Sequence, residues 1–237
     1  MSLKVEDEYH CSKRLLALAT VLLLIFFVQI PSWCLNVTFV YLSNQTHYPQ
    51  LAINQVLNNA AATIQFYTGL STDVSLQVIM HPDGHSFQLH GFPFWAAAIY
   101  HEGEIHLRNP HFLRQKEILE NTVAHELLHA IIDKNHLSLP SWFEEGLAYF
   151  LFPHSLPEPD PSLKTENRHR DQALSFYLQS QIAVEHLFKG KSPSEIRRFF
   201  LQCQQYGFDI AFQTIFPEFI NFSDPLSFFR KELKNHT

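Results

Sequence analysis

Cysteine is scarce: Cys11, Cys34 and Cys203 lie far apart in a chain of 237 residues. Their odd number and wide spacing argue against a disulfide framework, and neither a CxxC pair nor a Cys/His finger spacing occurs. Glycine is also sparse, at seven residues, and 17% of the chain is charged, which is not the composition of a disordered chain. Basic excess is absent. The formal net charge is −6 with histidine neutral, and with no DNA- or RNA-binding motif nothing points to nucleic acid. There is no internal repeat. What is present is 46% apolar and 14% aromatic residues, enough for one globular domain or two tightly packed subdomains. Fifteen histidines stand out, because histidine is the commonest metal ligand and titrates near neutral pH.

The longest apolar run lies near the start. Lys13 and Arg14 precede Leu15–Ile30, a stretch without a polar face, long for a signal-peptide core and short for a membrane span. Ser32 and Cys34 match the small-residue cleavage pattern poorly. Residues 1–34 therefore read as a signal peptide or an N-terminal membrane anchor. Either places residues from about 35 onward outside the cytoplasm, as a secreted, periplasmic or membrane-anchored domain. Sequons at Asn36, Asn44, Asn221 and Asn235 matter where the source glycosylates exported proteins.

Past residue 35 the apolar spacing gives an order of elements. Val37–Leu42 and Val74–Met80 read as strands, and Tyr48–Tyr67 between them as a helix. His81-Pro82-Asp83-Gly84 reads as a turn. Phe94–Tyr100 and Glu104–Leu107 read as two strands, followed by a helix over His111–Asp133 with Asn109 as N-cap and Pro110 at N1. Ser141–Phe152 is a second helix, and a proline-rich loop, 153–170, separates it from helices over Gln172–Lys189 and Ser194–Tyr206. Strands and helices first, then helices only, predict an α+β fold: a 35–136 α/β lobe with a small mixed sheet, then a 137–237 all-helical lobe.

His125-Glu126-Leu127-Leu128-His129 is an HExxH sequence inside the helical stretch. A four-residue spacing puts both imidazoles on one helix face, one turn apart, where they can share a zinc ion. Glu126 lies beside them as a candidate catalytic base. A HExxHxxGxxH continuation fails, since Ile132 and Asn135 stand in its places and His136 is out of register. The third ligand is sought in Pro140-Ser141-Trp142-Phe143-Glu144-Glu145-Gly146. Ser141 and Glu144 have the spacing of a capping box, which assigns Glu144 to the helix end. Glu145 is left to bind metal, the other role open to it being an acid favoured by the helix N-terminus. His₂Glu leaves one zinc position open for catalysis.

HELLHAII followed by LPSWFEEGLAYF resembles the thermolysin-like gluzincins, and in particular the small peptidase MA-like group with HELxH followed by PxWxxEGLA. The resemblance covers about 90–237. It implies a zincin-like lobe, Zn2+ on His125, His129 and Glu145, and peptide hydrolysis with Glu126 as base. It also implies an edge strand, here Phe94–Tyr100, that pairs with a peptide or protein substrate, with Ala96, Ala97 and Ala98 allowing close approach. Phe176-Tyr177-Leu178-Gln179-Ser180-Gln181 resembles the family's tyrosine-bearing helix, which makes Tyr177 a candidate catalytic hydroxyl. The chain departs from its relatives at Phe150, where they usually carry tyrosine; here Tyr149 comes one residue earlier. Two function classes follow: an exported zinc peptidase, or a catalytically inactive zinc-binding interaction module of the same fold. An intact Glu126 favours the first.

Overall fold

A computed structural model describes residues 35–42, 48–153 and 168–217. The apolar run at 15–30, the sequons at Asn44, Asn221 and Asn235, and most of the proline-rich loop lie outside these residues. Strand β1 (Asn36–Tyr41) is joined to β2 (Ser75–Met80) by helix α1 (Gln50–Thr68). A helix of this length is the crossover that a parallel pair requires, and β1 and β2 are parallel. The short helix α2 (Gly84–Leu89) follows, then β3 (Ala98–His101) and β4 (Glu104–Leu107). β4 pairs parallel to β2 and antiparallel to β3, so the sheet runs β1-β2-β4-β3 with β3 at one edge. The β3–β4 hairpin turns through Glu102 and Gly103, at φ 47° and 86°, the positive values that a tight two-residue hairpin turn needs.

Helices make up the rest: α3 (Pro110–Gln115), α4 (Leu119–Lys134), α5 (Ser141–Leu151), α6 (Arg168–Phe188), α7 (Pro193–Tyr206) and α8 (Phe208–Ile215). The chain is thus a mixed α+β protein, mostly helical, with a small four-stranded mixed sheet among its described residues. No described helix is long and apolar enough to cross a membrane. The core of the sheet side lies between α1 and α4, where Ile53, Leu57 and Ile64 are buried with Val123, Leu127 and Ile131. The later helices enclose an aromatic cluster of Phe143, Phe188, Phe199, Phe200 and Phe216.

Three expected elements differ. The Phe94–Tyr100 strand shortens to Ala98–His101, because the Ala96 amide donates to Pro93 in a turn instead of to a sheet neighbour. The helix expected over His111–Asp133 is two helices. Glu117 takes a left-handed φ of 57° after α3, and its amide and that of Ile118 close back on Arg114 and Leu113, which ends α3 as an αL cap does. The turn at 81–84 instead leads into α2, with the Asp83 carboxylate capping the Ser86 amide. Asn109 caps α3 as expected, accepting from the His111 and Phe112 amides, with Pro110 in the first turn.

α5 and α6 lie unusually close at Gly146, where a Cβ would overlap the carbonyl of Ser180 and the Val184 side chain. This contact fixes the residue beside Glu145. Gly146→Ala is expected to destabilise the fold by about 1–3 kcal/mol or more, since backbone must move to make room. A thermal or urea unfolding midpoint equal to wild type would show that the two helices separate at no cost.

Candidate metal centre

α4 carries His125, Glu126 and His129 on the face turned toward β3 and α5. His125 and Glu126 are buried. α5 brings Glu144 and Glu145 against this face. The Glu145 carboxylate meets both imidazoles, with Oε2 3.2 Å from His125 Nε2 and Oε1 3.8 Å from His129 Nε2. The ligand atoms of His125, His129 and Glu145 all lie within 4.8 Å of one another. Ligands at zinc distances of about 2.0–2.1 Å in a tetrahedron stand roughly 3.3 Å apart. The trio is somewhat wider than that spacing and could close around a metal ion, and two imidazoles with a carboxylate are donors that zinc accepts.

Glu144 does not cap its helix. The Pro140 carbonyl accepts from the Phe143 and Glu144 amides at 2.9 and 3.1 Å, so Pro140 is the N-cap and makes no side-chain cap bond. Ser141 becomes the first helical residue and Glu144 the fourth, too far along to reach back to the cap. Its carboxylate instead accepts from His129 Nδ1 at 2.8 Å. That bond fixes the ring with Nε2 facing Glu145, the arrangement in which an outer carboxylate orients a metal-binding histidine.

Glu126 is held from β3: its Oε2 accepts from the Tyr100 amide at 2.7 Å. The Tyr100 hydroxyl donates to Asp133 Oδ2 at 2.6 Å. One residue of the edge strand is therefore tied to α4 at both its amide and its side chain. Burial, and then the bond to Asp133, push the Tyr100 phenol up to about 12. Tyr149 packs its ring edge-on to His125 at 5.1 Å, and Tyr177 from α6 lies 5.8 Å from Tyr149. Burial raises both phenols well above their ordinary range, and the negative charges of Glu145 and Glu126 add to this. These groups line a cleft of about 910 Å³ together with Trp95, Ala98 and Arg170.

The sequence-derived candidates His125, Glu126, His129, Glu145 and Tyr177 thus share one cleft. Three neighbours are added by the structure. Glu144 reads from the sequence as a capping residue, because Ser141 has the look of an N-cap while the helix starts one residue earlier, with Pro140 as its cap. Tyr149 enters the cleft from α5, with its ring against His125. Asp133, one turn beyond His129, becomes informative only once Tyr100 is seen to cross from the sheet.

Burial opposes a charged His129. The Glu144 hydrogen bond and the charges of Glu145, Glu126 and Glu144 outweigh it and raise the imidazole to about 9. Burial likewise opposes a charged Glu145, but the His125 hydrogen bond and the two histidine charges hold it below the usual carboxylate range. In metal-free protein, the stabilising effect of protonated His129 is complete below the ordinary histidine value and disappears as pH rises through about 9. Zinc bound at this centre would have to displace that proton. Its affinity is therefore expected to climb with pH between roughly 6.5 and 9, by about tenfold per unit for one proton. Competition titrations with a chelator at several pH values measure this. An affinity flat across that window would show that His129 is neutral before zinc binds.

A scan against protein-family models finds no match to this chain, and no curated protein matches it.

Proposed function

We propose that the chain is an exported zinc-dependent peptidase of the gluzincin type, with a zincin-like lobe over 35–136 and a helical lobe over 137–237. The observation that carries this reading is the convergence of His125, His129 and Glu145, with Glu126 beside them in the same cleft. Zinc on those three residues supplies Lewis acidity, polarising a peptide carbonyl and acidifying water at neutral pH. Glu126 takes the proton from the attacking water and returns it to the leaving amine. The Tyr100 amide fixes one of its carboxylate oxygens and leaves the other to face the reacting atoms. Tyr177 and Tyr149 keep their hydroxyl protons and can donate to the oxyanion that develops on the carbonyl. A substrate backbone pairs with the outer edge of β3. By alternation along the strand, Ala98 and Tyr100 face that edge, and with the Tyr100 amide engaged by Glu126, Ala98 offers both its N–H and its C=O.

The test is cleavage of a diverse peptide library by purified full-length protein. Activity should disappear on chelation and return when zinc is restored to the cleft. Folded, zinc-loaded protein that cleaves nothing in such a library would favour the second reading, an inactive zinc-binding module. Export rests on Lys13 and Arg14 preceding Leu15–Ile30. A reporter fused after Thr237 should be active outside the cytosol, and activity confined to the cytosol would overturn that part of the reading.

A further inference from the structure

The opposite side of the sheet holds a second histidine cluster that the peptidase reading does not use. Tyr100 and Ile105 are paired across β3 and β4 and face α4, since Tyr100 reaches Asp133 there. His106, next along β4, points to the other face. There it meets His81, at the end of β2, and His90, which caps the C-terminal end of α2. The three ring centroids form a triangle with sides of 4.7, 5.4 and 5.8 Å. His81 and His106 are 0% and 5% exposed, whereas His90 lies at the surface.

The protonation of the buried pair follows from its acceptors. Glu104 Oε2 lies 3.1 Å from His106 Nε2, and a carboxylate only accepts, so His106 carries its proton on Nε2. His106 Nδ1 then accepts from His81 Nε2 at 3.1 Å, and His81 Nδ1 accepts from the Ser86 hydroxyl at 3.1 Å. Burial is the main reason that both imidazoles stay neutral: it pulls His81 down to about 4, helped by His90 and His106, and also lowers His106. Neutral imidazole is the form that binds metal.

We propose that His81 Nε2 and His106 Nδ1, completed by His90 and solvent, form a second site for a borderline divalent cation such as zinc, cobalt or nickel. Imidazole nitrogens on a tetrahedral ion lie roughly 3.3 Å apart, and their ring centroids roughly 5 Å apart. The nitrogens of the buried pair and the triangle of rings already have those dimensions. Both outer nitrogens are tied, His106 Nε2 to a carboxylate and His81 Nδ1 to a hydroxyl, as second partners of metal-binding histidines usually are. Loading needs one tautomer change: the His81 proton moves from Nε2 to Nδ1 and is donated to Ser86 Oγ, with no net proton released. Among the described residues only His125, His129 and Glu145 are already closed around one point. The second site closes by movement of the surface His90 ring, whose Nδ1 donates to the Ser86 carbonyl at 2.9 Å and leaves Nε2 as its metal donor. Imidazole donors without thiolate or several carboxylates select zinc, cobalt or nickel over calcium or magnesium.

Cobalt(II) titration of the untagged full-length chain, followed by visible absorption and metal analysis, tests this. Wild type should take up two ions, and His129→Ala should keep one. His90→Ala removes a surface ring and its hydrogen bond to the Ser86 carbonyl; it should weaken the second site at least tenfold with an unchanged circular dichroism spectrum. His106→Gln should abolish it. Retention of one ion by His129→Ala, lost on adding His90→Ala, supports the second site whether or not the first is catalytic. Unchanged uptake and affinity in His90→Ala would overturn the proposal and leave the three histidines as a hydrogen-bonded packing cluster.

Discussion

Glu126→Gln is expected to lower peptide turnover by about 10²–10⁴-fold, the usual contribution of a positioned general base, with zinc content unchanged. The two effects separate because the residues have different tasks. His125, His129 and Glu145 present the ligand atoms, whereas Glu126 faces the same cleft with one oxygen held by the Tyr100 amide. Glutamine keeps the shape and an oxygen to accept that hydrogen bond, but it cannot take a proton from water. The fold and the substrate-pairing edge should therefore survive, and the loss should fall on kcat more than on KM. Turnover within a few-fold of wild type would remove Glu126 from the mechanism. Loss of zinc together with turnover would show that Glu126 acts on the ligand set instead.

The shared face of His125, Glu126 and His129 on α4 was legible because a helix converts sequence spacing directly into geometry. Residues four apart share a face whatever the rest of the chain does, so His125, Glu126 and His129 could be placed without knowing the sheet. The alternation of β2 and the cap at Asn109 were readable for the same local reason. Features that depend on where an element begins were less accessible. Moving the start of α5 by one residue turns every side chain by about 100°, and that shift takes Glu144 from the helix cap to His129. The small-residue run at Ala96–Ala98 suggested a longer strand, yet the turn at Pro93 claims the Ala96 amide first. The break before α4 rests on a left-handed Glu117, a conformation that no residue type there announces. The cluster of His81, His90 and His106 could not be read at all, because only the parallel pairing of β2 with β4 brings His81 and His106 together.

The two adjacent acids on α5 are expected to behave differently when changed one at a time, and the size of each effect identifies its role. Glu145 meets both Nε2 atoms, at 3.2 and 3.8 Å, so Glu145→Ala deletes one of three ligands. It should abolish zinc binding at this centre, and activity with it, because two imidazoles alone hold the ion too weakly. Glu144 touches only the far nitrogen of His129, at 2.8 Å. Glu144→Gln keeps an amide oxygen that can accept the same proton but loses the negative charge that makes the ring a better donor. Glu144→Ala also removes the acceptor. Losing such an outer partner typically costs about 10–100-fold in metal affinity or activity. Glu144→Ala should therefore still bind zinc at saturating concentration, more weakly than wild type, and Glu144→Gln should fall between the two. Removing the Glu144 charge also takes away one of the causes that raise His129. The rise of zinc affinity with pH should then level off at a lower pH in Glu144→Gln than in wild type. Zinc affinities for the three variants at two pH values decide the matter. If Glu144→Ala matches wild type in affinity, the carboxylate does not orient His129. If Glu145→Ala binds as many zinc ions as wild type, the third ligand lies elsewhere in the cleft.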